Sequence, residues 1–190
     1  MPGLEYANGE RESDFDWETR GLVVDWLQQV HIRYHLMPET LWTAINIMDR
    51  FLSLRVVAKV KLQLVGLISM FVAAKYEEIL APSLEEFASL ADNEFTKDDI
   101  LKGERIMLQT LEFRVSHYCS PYSWMRKISK ADEYDIQTRT LSKFLTEVTL
   151  LDHRFLRVKP NMIAAVGMYT ARVMLSGEWV RSQRLFLSAY

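Results

Sequence analysis

Three features of the sequence predict an all-α protein. Its seven glycines and five prolines fall mostly between segments of helical periodicity. No long alternation of apolar and polar residues signals a sheet, and Ser83 with Glu86 and Thr96 with Asp99 have the spacing of helix capping boxes. With 190 residues, 49% of them hydrophobic, the chain can bury a sizeable core and form one domain or two small ones in tandem.

The first helix is expected over residues 19–36. Pro38 introduces a second, 39–54, because proline suits a first helical turn, where the N–H groups have no partner anyway. A third, 60–80, is apolar on nearly every side, from Leu62, Leu64, Val65 and Leu67 through Ile68, Met70, Phe71 and Val72 to Ile79. That is the profile of a central helix wrapped by amphipathic neighbours, and Gly66, Ala73 and Ala74 leave room for close packing. Ser83 with Glu86 opens a short fourth helix, and Thr96 with Asp99 opens a fifth, 97–111. These five form one unit, 17–116. After residue 117 the pattern restarts: Ser120 and Pro121 open a helix to about Lys130, a longer one covers 135–152, and another covers 160–175. The second unit, 117–190, is expected to be incomplete within the chain.

Charges on apolar faces mark the places where packing alone does not explain the sequence. At about 100° per residue, Glu104 falls within the stripe of Ile100, Leu101, Met107, Leu108 and Leu111. Lys75 projects among Leu64, Ile68, Phe71 and Ile79, Arg20 lies beside Val24 and Leu27, and Asp49 lies between Ile45 and Trp42. Isolated charges are too costly to bury, so all four require partners. Either they form two internal salt bridges that fix helix register, or one pair lies on a concave protein-binding surface and caps the backbone of an incoming partner. Spacing alone fits both.

The first helix is also wider in its apolar face than a surface helix needs. Leu22, Val23, Val24, Trp26, Leu27, Val30 and Tyr34 cover an arc of about 200°, roughly twice a core-facing stripe. Leu22, Val23 and Trp26 are then either an exposed patch that receives partner peptides or are covered by a second packed layer.

Catalytic and ligand-binding signatures are weak. There is no Gly-rich phosphate loop, no His-Glu-x-x-His helix and no Gly-x-Ser-x-Gly elbow. His31, His35, His117 and His153 are dispersed; only His31 and His35 share a helix face, expected to be polar and solvated, and no third ligand follows at metal-binding spacing. Asp98 and Asp99, which could serve a helical-bundle enzyme, sit at a helix start where carboxylates favour the dipole. Cys119 has no helical histidine placed to activate it and no second cysteine to pair with. No cofactor or metal is therefore expected. The net charge of −2, with both signs interspersed, gives no sequence-independent hold on nucleic acid. The longest apolar stretch, 64–74, is interrupted by Ser69 and too short to span a membrane, and residues 1–20 lack the apolar core of a secretory signal.

Residues 19–27, TRGLVVDWL, closely resemble the signature that opens the cyclin box. The resemblance continues in order through 38–41 (PETL), 49–52 (DRFL), 61–66 (KLQLVG), 74–78 (AKYEE) and Glu104, and spans 17–179. Within the family, 31–34 (HIRY) and 128–141 (ISKADEYDIQTRTL) look like the mitotic B-type group. The resemblance implies a five-helix cyclin fold followed by a second, incomplete one. It also implies a non-catalytic subunit that activates a mitotic cyclin-dependent protein kinase at the G2/M transition, in the nucleus and cytoplasm. On this basis Arg20 and Asp49 form an internal ion pair. Lys75 and Glu104 face the kinase together with Tyr76, Glu78, Leu108 and Phe113. Leu22, Val23, Trp26 and Gln63 would dock basic-hydrophobic peptides of substrates and inhibitors. Thr19 stands where the family motif usually has Met, which removes apolar area from one edge of that groove. Residues 181–190 do not resemble the family, and its long N-terminal region with a destruction signal is missing, so the chain is expected to persist through mitosis. A cyclin-like module of the transcription machinery would share the fold but need a basic DNA-facing surface, which the acidic balance disfavours.

Overall fold

The computed structural model describes residues 16–90, 94–115, 119–131 and 135–175, and among them helices and turns are joined without a strand. Asp16 begins α1, Trp17–Arg33, by accepting hydrogen bonds from the Thr19 backbone N–H at 2.8 Å and the Thr19 hydroxyl at 2.7 Å. The helix ends short of the expected residue 36 because the chain reverses. The Leu36 N–H donates to the His31 carbonyl at 3.1 Å and the His35 N–H to the Ile32 carbonyl at 3.2 Å, with His35 in the left-handed region at φ 51°.

Pro38 occupies the first turn of α2, Pro38–Leu54. A 3-10 turn, Lys59–Lys61, leads into α3, Leu62–Glu77, which is the central helix: Leu62, Val65, Leu67, Ile68, Met70, Phe71, Ala73 and Ala74 are all buried, and it packs on α2 most extensively and on α1 besides. Gly66 allows the approach of α1, since a Cβ at that position would lie 2.7 Å from Val23 Cγ1. Here the sequence expectation needs correcting. α3 stops at Glu77, so Ile79, which periodicity placed on its apolar face, and Leu80, its expected last residue, lie in non-helical chain beyond it.

Both capping boxes form. Ser83 starts α4, Leu84–Ser89, and Thr96 starts α5, Lys97–Thr110, each exchanging hydrogen bonds with the acid three residues on. Both helices pack against α3. α5 closes with the Phe113 N–H donating to the Leu108 carbonyl at 2.8 Å and the Glu112 N–H to the Gln109 carbonyl at 3.1 Å. Glu112 and Phe113 stand at φ 52° and 57°, a conformation that side chains adopt only when the surroundings enforce it.

The chain divides into two compact units, Met1–Tyr118 with Leu151–Leu156, and Cys119–Leu150 with Arg157–Tyr190. In the first, the His153 ring stacks on Trp17 at 4.6 Å between centroids. The described part of the second comprises α6, Pro121–Ala131, α7, Ile136–Val148, and α8, Pro160–Met174. Each of these three packs on the other two, around Met125, Ala164 and Met168. α7 ends before the expected residue 152, since Thr149 and Leu150 turn the chain and a 3-10 segment, His153–Arg157, follows. His117, the boundary expected at 116/117 and residues 181–190 lie outside the described residues. Among the described residues no helix is long and apolar enough to cross a membrane.

Candidate partner-binding site

Two of the four misplaced charges meet in the core. Arg20 Nε donates to Asp49 Oδ1 and Arg20 Nη2 to Asp49 Oδ2, both at 2.8 Å, with both residues 1% exposed. This bidentate pair ties α1 to α2, and its planar, two-point geometry explains why the cation is arginine.

The other two meet at the surface. Lys75, near the end of α3, pairs with Glu104 on α5, and the Lys75 ammonium also lies over the Phe71 ring, 4.2 Å from its centroid. Side-chain exposure is 42% for the lysine and 13% for the glutamate. Gly103 sets this crossing: a Cβ there would lie 2.1 Å from Ile68 Cδ1, so α5 runs against α3 at the turn that carries Glu104. An ammonium has three donors and a carboxylate accepts at two oxygens, so both groups keep capacity for a further partner while paired.

The apolar residues expected to accompany this pair differ in exposure. Tyr76 and Phe113 are exposed and Leu108 is partly so. Phe113 is held outward by the strained reversal after α5. Glu78 turns inward: its Oε1 accepts from the Met37 N–H at 2.7 Å and the Thr40 hydroxyl at 2.5 Å, capping the start of α2, which has no side-chain cap of its own. Sequence reasoning missed Ile79 and Leu80, which are 96% and 90% exposed. Pro82 lies five residues beyond Glu77, too far to mark the helix end, so the sequence carried no stop signal for them.

The expected peptide-docking residues separate. Leu22 is exposed, and Trp26 and Gln63 are partly exposed, but Val23 is buried against the helix crossing at Gly66. Val23 is therefore a core residue rather than surplus surface. α1 packs on both α2 and α3, and a helix covered from two directions needs the wider apolar arc. The Thr19 hydroxyl is engaged by Asp16.

His31, expected on a solvated face, is buried at the end of α1, where the reversal through His35 brings buried Leu36 back over the helix terminus. His35 is exposed and His153 lies on Trp17. Asp99 belongs to the α5 capping box, and hydrogen bonds from Thr96 hold its carboxyl below the ordinary range. Cys119 is exposed. Among the described residues no group of three or more His, Cys, Asp or Glu could hold a metal ion.

A central helix wrapped by four others, followed by a second helical unit, defines an all-helical fold of two units. Residues 1–116 match the family described as cyclin, N-terminal domain, and residues 119–190 match cyclin, C-terminal domain; the chain belongs to the cyclin family. It is 51% identical over 180 residues to the G2/mitotic-specific cyclin-B of Emericella nidulans, an alignment covering 94% of this chain and 37% of that protein. It is 48% identical over 183 residues to the G2/mitotic-specific cyclin cdc13 of Schizosaccharomyces pombe, covering 96% and 37%. The chain thus spans little more than a third of these relatives. Among solved structures, a viral cyclin from herpesvirus saimiri superimposes with a TM-score of 0.77 at 16% identity, covering 84% of this chain and 71% of that one. The yeast RNA Pol II CTD kinase CTDK-1 complex contains a chain matching with a TM-score of 0.75 at 15% identity, covering 90% and 59%. These two likenesses concern the fold.

Proposed function

We propose that this chain is the activating, non-catalytic subunit of a mitotic cyclin-dependent serine/threonine kinase, acting at the G2/M transition in the nucleus and cytoplasm. The observation that carries this reading is the partly exposed Lys75–Glu104 pair, set where α5 crosses α3, with exposed Tyr76 next to Lys75 in the chain. It is supported by relatives named G2/mitotic-specific cyclins. A charged pair with unused donors and acceptors, next to an exposed tyrosine, suits the backbone and apolar face of a partner helix.

A protein kinase needs its strand lysine paired with a glutamate on its regulatory helix and its activation loop ordered. A subunit that binds only the inward position of that helix shifts the kinase toward its active arrangement by its differential affinity, without performing chemistry. Lys75 and Glu104 would hold backbone groups of the regulatory helix, with Tyr76, Leu108 and Phe113 against its apolar side. Leu22, Trp26 and Gln63 would receive docking peptides of substrates and inhibitors on a separate part of α1 and α3.

The test compares phosphoryl transfer by a purified mitotic cyclin-dependent kinase with this chain and with its Lys75→Ala and Glu104→Ala variants. The pair reaches solvent through Lys75, so losing it costs on the order of 1 kcal/mol and the variants are expected to stay folded. Activation falling at least about tenfold in folded variants supports the reading. Full activation by both variants would remove these residues from the interface.

A further inference from the structure

We infer that Glu78 is a positioning residue that presents Ile79 and Leu80 as a preformed apolar tip for the kinase, an inference that rests on the function proposed above. Two large aliphatic side chains stand almost wholly in solvent at 96% and 90% exposure, directly after the helix that carries Lys75 and Tyr76. A loop free to fold would bury them or leave them to cost ordering entropy on binding.

Their attachment point is fixed. Glu78 leaves the helix at φ −82° and ψ 144°, its N–H donating to the Ala74 carbonyl at 2.9 Å. Its carboxylate crosses to α2 and accepts from the Met37 N–H and the buried Thr40 hydroxyl. Beside it, Glu77 Oε1 accepts from the Thr43 hydroxyl at 2.7 Å. Met37 supplies no side-chain cap, so the carboxylate also meets the favourable end of the α2 dipole. Two consecutive acids thus clasp the start of α2 on one side, while the next two residues project outward on the other. Pro82 limits the backbone beyond them.

The experiment measures affinity of the full chain for a mitotic cyclin-dependent kinase across a mutant cycle. Glu78→Ala, which removes the acceptor, is expected to weaken binding about tenfold, the scale of immobilising one or two side chains. Glu78→Gln, which keeps an Oε1 acceptor, should bind within about twofold of wild type. Thr40→Val, at a buried position away from the tip, should reproduce part of the loss and serves if Glu78→Ala does not fold. Ile79→Ser with Leu80→Ser should weaken binding in the wild-type background and add little further to Glu78→Ala, because the tip is already unpositioned. If losses from the tip and from Glu78→Ala simply add, or if Glu78→Ala and Thr40→Val both bind as wild type does, the inference is overturned while the kinase partnership stands. If the wild-type chain does not bind the kinase, the partnership fails and the inference with it.

Discussion

Arg20 and Asp49 show what a single residue contributes when its charge is out of water. Both are 1% exposed, and their two hydrogen bonds at 2.8 Å offset a desolvation cost that either group alone could not bear. Asp49→Asn is expected to lower stability by about 3–5 kcal/mol, read by thermal unfolding, a large share of the roughly 5–15 kcal/mol of an ordinary domain. Lys75→Ala should move the unfolding temperature far less than Asp49→Asn, because the Lys75 ammonium stands 42% exposed and Glu104 keeps access to water. At this scale the four charges were legible because each interrupts an apolar face. Which pair was internal was not legible from helical spacing, which gives direction but not depth; the family resemblance supplied Arg20 with Asp49, and the two are hydrogen-bonded in the core. Val23 and His31 were misplaced for the same reason: a helix packed from two directions, or one overlaid by its own reversing chain, buries residues that a single-face projection leaves outside.

Among elements, both capping boxes were readable because a hydroxyl and an acid three residues apart have few other uses at a helix start. Helix ends were not. α1, α3 and α7 all stop earlier than periodicity indicates, at reversals made by His35, Glu78 and Thr149 without a glycine to announce them. The caps and the partly buried acid of α7 respond to pH in opposite senses. Hydrogen bonds from Thr96 and Ser83 hold Asp99 and Glu86 below their ordinary values, so the folded state binds protons less readily there; that stability is present near neutral pH and lost as acid titrates these groups. Burial raises Glu147 despite Lys143 at 3.6 Å, so here the folded state binds a proton more readily, and stability falls as pH rises through the window above 4.5. Glu147→Gln is therefore expected to stabilise the protein at neutral pH, with the gain shrinking toward pH 4.5. Urea unfolding at several pH values reads this out, and a gain independent of pH would exclude the assignment.

For the molecule as a whole, the all-helical class and the arrangement of four helices around α3 were legible from composition and periodicity, because an unusually apolar helix can only be central. The return of Leu151–Leu156 to the first unit was not, since it depends on a stacking contact between Trp17 and His153, far apart in sequence. The exposed tip at Ile79 and Leu80 was likewise hidden, because apolar residues beside an apolar helix read as more of the same helix. The proposed function is a shift in another protein's conformational equilibrium, which is read out only in the complex. The most direct measurement is the phosphoryl-transfer rate of a purified mitotic cyclin-dependent kinase with and without the intact chain. A rate that rises at least about a hundredfold and saturates at one chain per kinase, a bias of about 2.7 kcal/mol toward the active state, is the expected result. A rate unchanged by saturating folded chain would contradict the proposed function at its root.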